Sequence, residues 1–285
     1  MNSDDISAEF VLTSSMPLLE VQNLCTWFPV QGGVFRRKVG DIRAVDDVSF
    51  SIKAGQTVGL VGESGSGKTT VGRTILKLIP PTSGSVKFNG RDILPLPERD
   101  FRPLRREMQM IFQDPYSSLN PRMTVYDTLA EPLLLHGVVD RKGLDTAVFE
   151  LMDAVGLARA NVLRYPHEFS GGQRQRIAIG RAIGTKPEFI VADEPVSALD
   201  VTIQAQILDL LLDLVARFNL SMLFISHDLA VVRYLADRIV VMKAGKLVES
   251  GTTHDMFTSP QQPYTQALLA AIPGRVLRDL DDSPL

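Results

Sequence analysis

The 285-residue chain contains a single cysteine, Cys25, and a single tryptophan, Trp27. One cysteine excludes an intramolecular disulfide, a zinc cluster and a Cys-ligated iron–sulfur cluster within the chain, and it suits a reducing compartment. An excess of one charge is also lacking. Thirty Lys and Arg against 33 Asp and Glu leave a net charge of −3, so no global basic field is present to hold nucleic acid. The basic runs Arg36–Lys38 and Arg102–Arg106 are short and read as solvated surface. No uncharged apolar run approaches the ~18 residues that span a bilayer; the leucine-rich stretch Leu208–Val215 is interrupted by Asp209 and Asp213. Met1–Phe10 is acidic and polar, which is not the texture of a signal peptide. A soluble chain is expected, with any membrane role exerted through a partner. What is present is ordinary for a globular protein, 45% apolar and 22% charged. The length suits one or two domains with a substantial core.

Punctuation along the chain outlines its organisation. Residues 1–17 read as a loose tail, Leu18–Leu24 as a strand, and Gln31–Asp41, with three glycines and a basic cluster, as a loop. Val48–Ile52 alternates apolar and polar residues, as a half-buried strand does. Thr57–Val61 is an apolar run flanked by glycines, the texture of a buried strand, and it leads into a Gly/Ser loop. A helical pattern over Thr69–Leu78 follows, stopped by Pro80-Pro81. Ser85–Phe88 and Met108–Phe112 are further strand candidates, with Asn89-Gly90 a turn. From Asp114 to Thr185 the pattern is mostly helical, as expected of a helical subdomain inserted into an α/β domain. Strand signals return at Phe189–Ala192, Met222–Ile225 and Arg238–Met242, separated by helical stretches such as Val201–Phe218. That alternation implies a parallel sheet with right-handed crossovers. Ala244-Gly245 then turns the last strand into Lys246–Glu249, a hairpin.

Gly62-Glu63-Ser64-Gly65-Ser66-Gly67-Lys68-Thr69 fits G-x-x-x-x-G-K-[ST], and it stands between a strand and a helix. Glycines let the backbone curl so that successive N–H groups converge on phosphate oxygens. The helix start adds about half a positive charge. Lys68 can reach the β- and γ-phosphates, and the Thr69 hydroxyl can ligate Mg²⁺; Thr70 completes the candidate binding segment. Phe189-Ile190-Val191-Ala192-Asp193-Glu194 ends a buried strand with two acids, which burial disfavours unless they have a use. Asp193 is placed to hold Mg²⁺ beside Thr69, and Glu194 to act as general base for an attacking water. Gln113 and His227 each follow an apolar strand, at the sheet end where α/β proteins bind ligands. His227 suits a γ-phosphate sensor, and Gln113 a metal ligand that reports phosphate state to the helical block.

Ser170-Gly171-Gly172-Gln173 followed by an amphipathic helical run resembles the signature of ATP-binding cassette (ABC) ATPases, with Phe169 where leucine is common. The phosphate loop, Gln113, Ser170–Gln173, Asp193-Glu194, Ser197-Ala198-Leu199-Asp200 and His227 stand in that family's order, and the resemblance covers about residues 18–273. The segments Gln113–Arg122 and Pro260–Leu269 resemble those of oligopeptide and dipeptide importer ATPases. A C-terminal iron–sulfur cysteine cluster found in many of these has no counterpart here, pointing to the subunit type without it. The resemblance implies an α/β phosphate-loop fold with a mainly parallel sheet core, an antiparallel β part and a helical subdomain over about 114–185. It leaves 274–285 as a C-terminal tail.

By the same resemblance the chain hydrolyses ATP with Mg²⁺ and powers permeases through nucleotide-driven dimerisation. Ser170, Gly171 and Gly172 would cap the γ-phosphate held by a second unit, and Asp200 would lie at the dimer seam. An aromatic upstream of the phosphate loop would stack on adenine, Phe28 or, failing that, Trp27; either could equally be core packing. The implied partners are a second ABC ATPase subunit, a paralogue or the same chain, two membrane permease subunits and, indirectly, an extracytoplasmic solute-binding protein. No nucleic acid is implied. The implied location is peripheral, on the cytoplasmic face of the membrane. A soluble ABC-type ATPase of an enzyme complex, like the carbon–phosphorus lyase accessory subunits, is the alternative. A DNA-repair or translation ATPase is disfavoured by the single ATPase unit, the absence of coiled-coil heptads and the acidic balance.

Overall fold

Two β-sheets clamp one helix in the computed structural model, which describes residues 16–32 and 37–272. The expected tails fall outside the described residues, apart from Met16 and Pro17. The first sheet is antiparallel, in the order β2-β1-β4-β5, built from β1 (Leu19–Gly32), β2 (Arg37–Ile52), β4 (Ser83–Phe88) and β5 (Arg91–Asp92). The second has the order β10-β9-β3-β8-β7-β6. Its strands are β3 (Thr57–Val61), β6 (Met108–Ile111), β7 (Phe189–Asp193), β8 (Ser221–Ser226), β9 (Arg238–Lys243) and β10 (Lys246–Thr252). All its pairings are parallel except the β9–β10 hairpin. The helices are α1 (Lys68–Ile75), α2 (Glu98–Phe101), α3 (Pro115–Ser118), α4 (Val125–Leu135), α5 (Leu144–Ala154), α6 (Gly171–Ile183), α7 (Val201–Phe218), α8 (Leu229–Leu235), α9 (Thr253–Thr258) and α10 (Pro263–Ala270).

The period-2 alternation of the central strands divides the core. Val58, Leu60, Val191, Leu223 and Ile225 face α1 and the antiparallel sheet. Val61, Ile190, Ala192, Met222 and Phe224 face a second apolar cluster that takes in α4 to α8. β3 is buried throughout because it is covered on both faces. Gly59 is needed for close approach: a Cβ there would lie 2.2 Å from Val232 Cγ1 of α8.

Two expectations are corrected. The glycine-rich stretch Gln31–Asp41 is not a continuous loop, because β1 runs on to Gly32 and β2 starts at Arg37. Phe28 pairs with Ile42, and Val30 with Gly40; this cross-strand ladder outweighs the local glycine signal. The first helix ends at Ile75 rather than Leu78, since Lys77 takes a left-handed conformation with φ 53°. Its ammonium then donates to the carbonyls of Ile93, Leu94 and Leu96.

Local capping explains several other helix starts. Thr124 and Asp127 form a reciprocal capping box at α4, and Ser170 and Gln173 form one at α6. Asp200 caps α7 by accepting from the Ile203 N–H at 3.0 Å.

Candidate nucleotide site

The carboxyl end of β3 delivers Gly62 into a loop that only glycine can build at its two ends. Gly62 has φ 152° and Gly67 φ 104°. A Cβ on the first would lie 2.1 Å from the Met242 carbonyl oxygen, and one on the second 2.0 Å from that of Ala44. The β9–β10 turn buttresses the loop, with the Gly245 N–H donating to the Ser66 carbonyl at 3.0 Å. Lys68 is the first residue of α1 and only 4% exposed. Its ammonium donates to the carbonyls of Gly62 and Glu63, each at 2.8 Å. Burial lowers its pKa, opposed by the charges of Glu194 and Asp193.

Carboxyl ends of three parallel strands converge on this loop. From β7, fully buried Asp193 accepts the Thr69 hydroxyl at 2.8 Å through Oδ1. Its Oδ2 has no hydrogen-bond partner, and Arg73 Nη2 stands 4.0 Å away. Burial pushes the Asp193 carboxyl above its usual range, countered by the Thr69 hydroxyl and then the Arg73 charge. Glu194 follows with φ 45°, its N–H donating to the Ile225 carbonyl at 2.9 Å. Its Oε2 accepts from Gln113 Nε2, just past β6, at 3.1 Å. The same oxygen lies 3.2 Å from Nδ1 of His227, just past β8. Strand order alone therefore brings residues 113, 194 and 227 to one oxygen.

A cavity of about 590 Å³ opens over this cluster. Glu63, Ser64, Gly65, Gly67, Lys68, Thr69 and Thr70 line it, with Gln113, Glu194 and His227 opposite. Gly62, Ser66 and Asp193 stand behind that lining. Ala44 and Leu268 complete the wall, and neither was legible as a site residue. Ala44 carries no chemical signal, and Leu268 is remote in sequence. The Pro260–Leu269 stretch stood out only as a subfamily feature.

Ser170, Gly171, Gly172, Gln173 and Asp200 do not line this cavity. They gather elsewhere: a Cβ at Gly171 would lie 3.4 Å from Leu199 Cδ2, and one at Gly172 would lie 2.4 Å from Ile203 Cγ2. The Ser170 hydroxyl accepts from the Gln173 N–H at 3.3 Å, and Gln173 Oε1 from the Ser170 N–H at 3.1 Å. Phe28 also lies outside the cavity wall, 39% exposed on β1 opposite Ile42. Trp27 stacks beneath the Arg43 guanidinium at 4.4 Å.

The residues present fit a metal-bound polyphosphate. The loop and the start of α1 form an anion cradle, and Thr69, Gln113 and the orphaned oxygen of Asp193 offer the hard oxygen donors Mg²⁺ prefers. Among the described residues no group of three His, Cys, Asp or Glu could hold a metal ion. Nor is any described helix long and apolar enough to cross a membrane.

Fold and site together define a phosphate-loop nucleoside triphosphatase. The family model for ABC transporters matches residues 45–197. The oligopeptide transport ATP-binding protein AppF of Bacillus subtilis is 51% identical over 257 residues, covering 90% of this chain and 78% of that protein. The glutathione import ATP-binding protein GsiA of Escherichia coli K12 is 50% identical over 90% of this chain, which spans only 41% of its length. A solved dimeric structure of the ATP-binding cassette MJ0796 in a post-hydrolysis state, bound to ADP and Pi, superposes with TM-score 0.73 at 27% identity. It covers 82% of this chain, and 98% of its own length is matched. The chain belongs to the ABC transporter family, has its ATPase cassette fold and is an ATP-binding, ATP-hydrolysing subunit. These relatives do not favour the enzyme-complex alternative.

Proposed function

We propose that the chain hydrolyses ATP at composite sites shared with a second ABC ATPase subunit, and so drives import of oligopeptides, dipeptides or related small solutes. The reading rests above all on the separation of two half-sites: the phosphate-loop cavity lacks Ser170–Gln173 and Asp200, which gather elsewhere on the same chain. The dimeric, ADP- and Pi-bound MJ0796 cassette supports the same arrangement, and the names of AppF and GsiA support the solute class and the role in import.

In this reading the loop amides and Lys68 bind the triphosphate. Thr69, Asp193 and Gln113 would hold Mg²⁺, which when bound neutralises phosphate charge. Glu194 accepts the proton of a water attacking the γ-phosphorus in line, and His227 orients Glu194 and the γ-phosphate. ADP is the leaving group. Ser170, Gly171, Gly172 and Gln173 cap the γ-phosphate on the partner through small side chains and the amides that open α6, and Asp200 lies at the seam. Phe28, or else Trp27, stacks on adenine. Residues 114–185 act as a helical subdomain that passes the motion to two permease subunits, which a solute-binding protein supplies from outside. The second subunit is a paralogue or another copy, and the assembly sits on the cytoplasmic membrane face.

Glu194→Gln tests this. The variant should bind ATP, lose turnover and double in mass by light scattering with ATP, alone if the partner is a second copy or mixed with its paralogue. ATP-loaded monomers in both settings would refute the composite site.

A further inference from the structure

The last helix among the described residues, α10, lies outside the residues 45–197 that the family model matches and reaches the phosphate loop. Glu249 of β10 fastens its start, accepting from the N–H groups of Gln261 at 2.7 Å and Gln262 at 3.1 Å. Thr265 and Leu269, buried on one side of α10, hold the helix down. Tyr264 and Leu268, one turn apart, lie on the side toward the loop. The Tyr264 hydroxyl accepts from the Glu63 N–H at 3.3 Å. The Lys243 ammonium sits 4.4 Å over its ring, and Leu268 forms part of the cavity wall.

The Gly62–Glu63 peptide is thus held at both ends: its N–H, that of Glu63, by Tyr264 from outside, and its carbonyl, that of Gly62, by Lys68 from within. A phosphate that draws the Lys68 ammonium toward itself competes with the inner bond. The outer one is untouched.

We propose that Tyr264 is a positioning residue for nucleotide binding: it pins the phosphate loop in its receptive shape through the Glu63 amide while the Lys68 ammonium turns to phosphate. The proposal deepens the ATPase reading and rests on it. Because the tyrosine touches the loop and not the reacting atoms, it stabilises bound ground state and transition state alike, so its loss falls on affinity rather than on turnover. Because Glu63 opens the loop that cradles the β-phosphate as well, ADP and ATP should feel it equally.

Tyr264→Phe keeps the ring and its contact with Lys243 and removes only the hydroxyl. In the 285-residue chain, Kd for MgATP and for MgADP is measured by calorimetry, together with the hydrogen exchange of a peptide spanning residues 62–67; kcat and KM are measured with the second subunit present, another copy or the paralogue. Loss of one such hydrogen bond predicts that both Kd values and KM rise about threefold to tenfold. It also predicts kcat at saturation within about twofold and faster exchange of the loop amides in the nucleotide-free chain. Unchanged Kd for both nucleotides, or a fall confined to kcat, would overturn the proposal while leaving the ATPase reading intact. Failure of the unaltered chain to bind either nucleotide would overturn that reading and this proposal together.

Discussion

Gly59→Ala offers a quantitative check on how the phosphate loop is mounted. Gly59 lies mid-strand in β3, and its backbone needs no glycine conformation. Space is the whole issue. The added Cβ would lie 2.2 Å from Val232 Cγ1 and 3.2 Å from Ala236 Cβ, whereas comfortable carbon contacts are about 3.5–4.0 Å. Roughly 1.5 Å must be found by moving α8 away from the sheet or twisting a buried side chain. Overpacking of this kind costs about 1–3 kcal/mol, a factor of about 5 to 150 in the folding equilibrium. For a domain of this size it lowers Tm by roughly 2–12 °C. Val232 is fully buried, so Val232→Ala alone removes two methyl-sized groups and costs about 2 kcal/mol. The two changes share one volume and must couple. Measured by urea unfolding, the double variant should be no less stable than Val232→Ala alone, because the new methyl fills the vacated space. A double variant whose loss equals the sum of the two singles, about 3–5 kcal/mol, would refute the packing argument.

Two further outcomes concern the chemistry. Lys68→Ala should abolish ATPase activity by weakening phosphate binding, read in a phosphate-release assay; normal turnover would contradict the role given to its ammonium. Ser170→Arg should leave the ATP affinity of the monomer nearly intact while stopping turnover of the dimer, and loss of the α6 cap should cost about 1 kcal/mol of stability. An equal fall in monomer affinity, measured by calorimetry, would mean that Ser170 serves its own chain's site.

How much of this was legible in the sequence depends on the range of the interaction involved. The phosphate loop, the acid pair Asp193-Glu194 and the signature-like stretch Ser170–Gln173 are contiguous patterns, each legible within a few residues. Strand identity at Thr57–Val61 and Phe189–Ala192 was equally local, because strands covered on both faces read as unbroken apolar runs. The extended hairpin of β1 and β2 was missed because its stability comes from pairing across the chain, Phe28 against Ile42 and Val30 against Gly40, while the glycines between them signal only a loop. The early end of α1 was missed because Lys77 is turned by three carbonyls from a distant segment.

The sequence by itself determined the chemistry: which groups can cradle phosphate, take a proton or offer oxygen to a metal, since those properties belong to side chains and short backbone turns. Only the tertiary structure decided what stands together. The parallel order β3-β8-β7-β6 carries Gln113, Glu194 and His227 to one point, although the first and last are 114 positions apart. It also sets Ser170–Gln173 apart from the cavity, and it brings Tyr264 back to Glu63 across 201 positions. Contacts at such separation depend on sheet order and helix packing, for which no short stretch of sequence holds a sign.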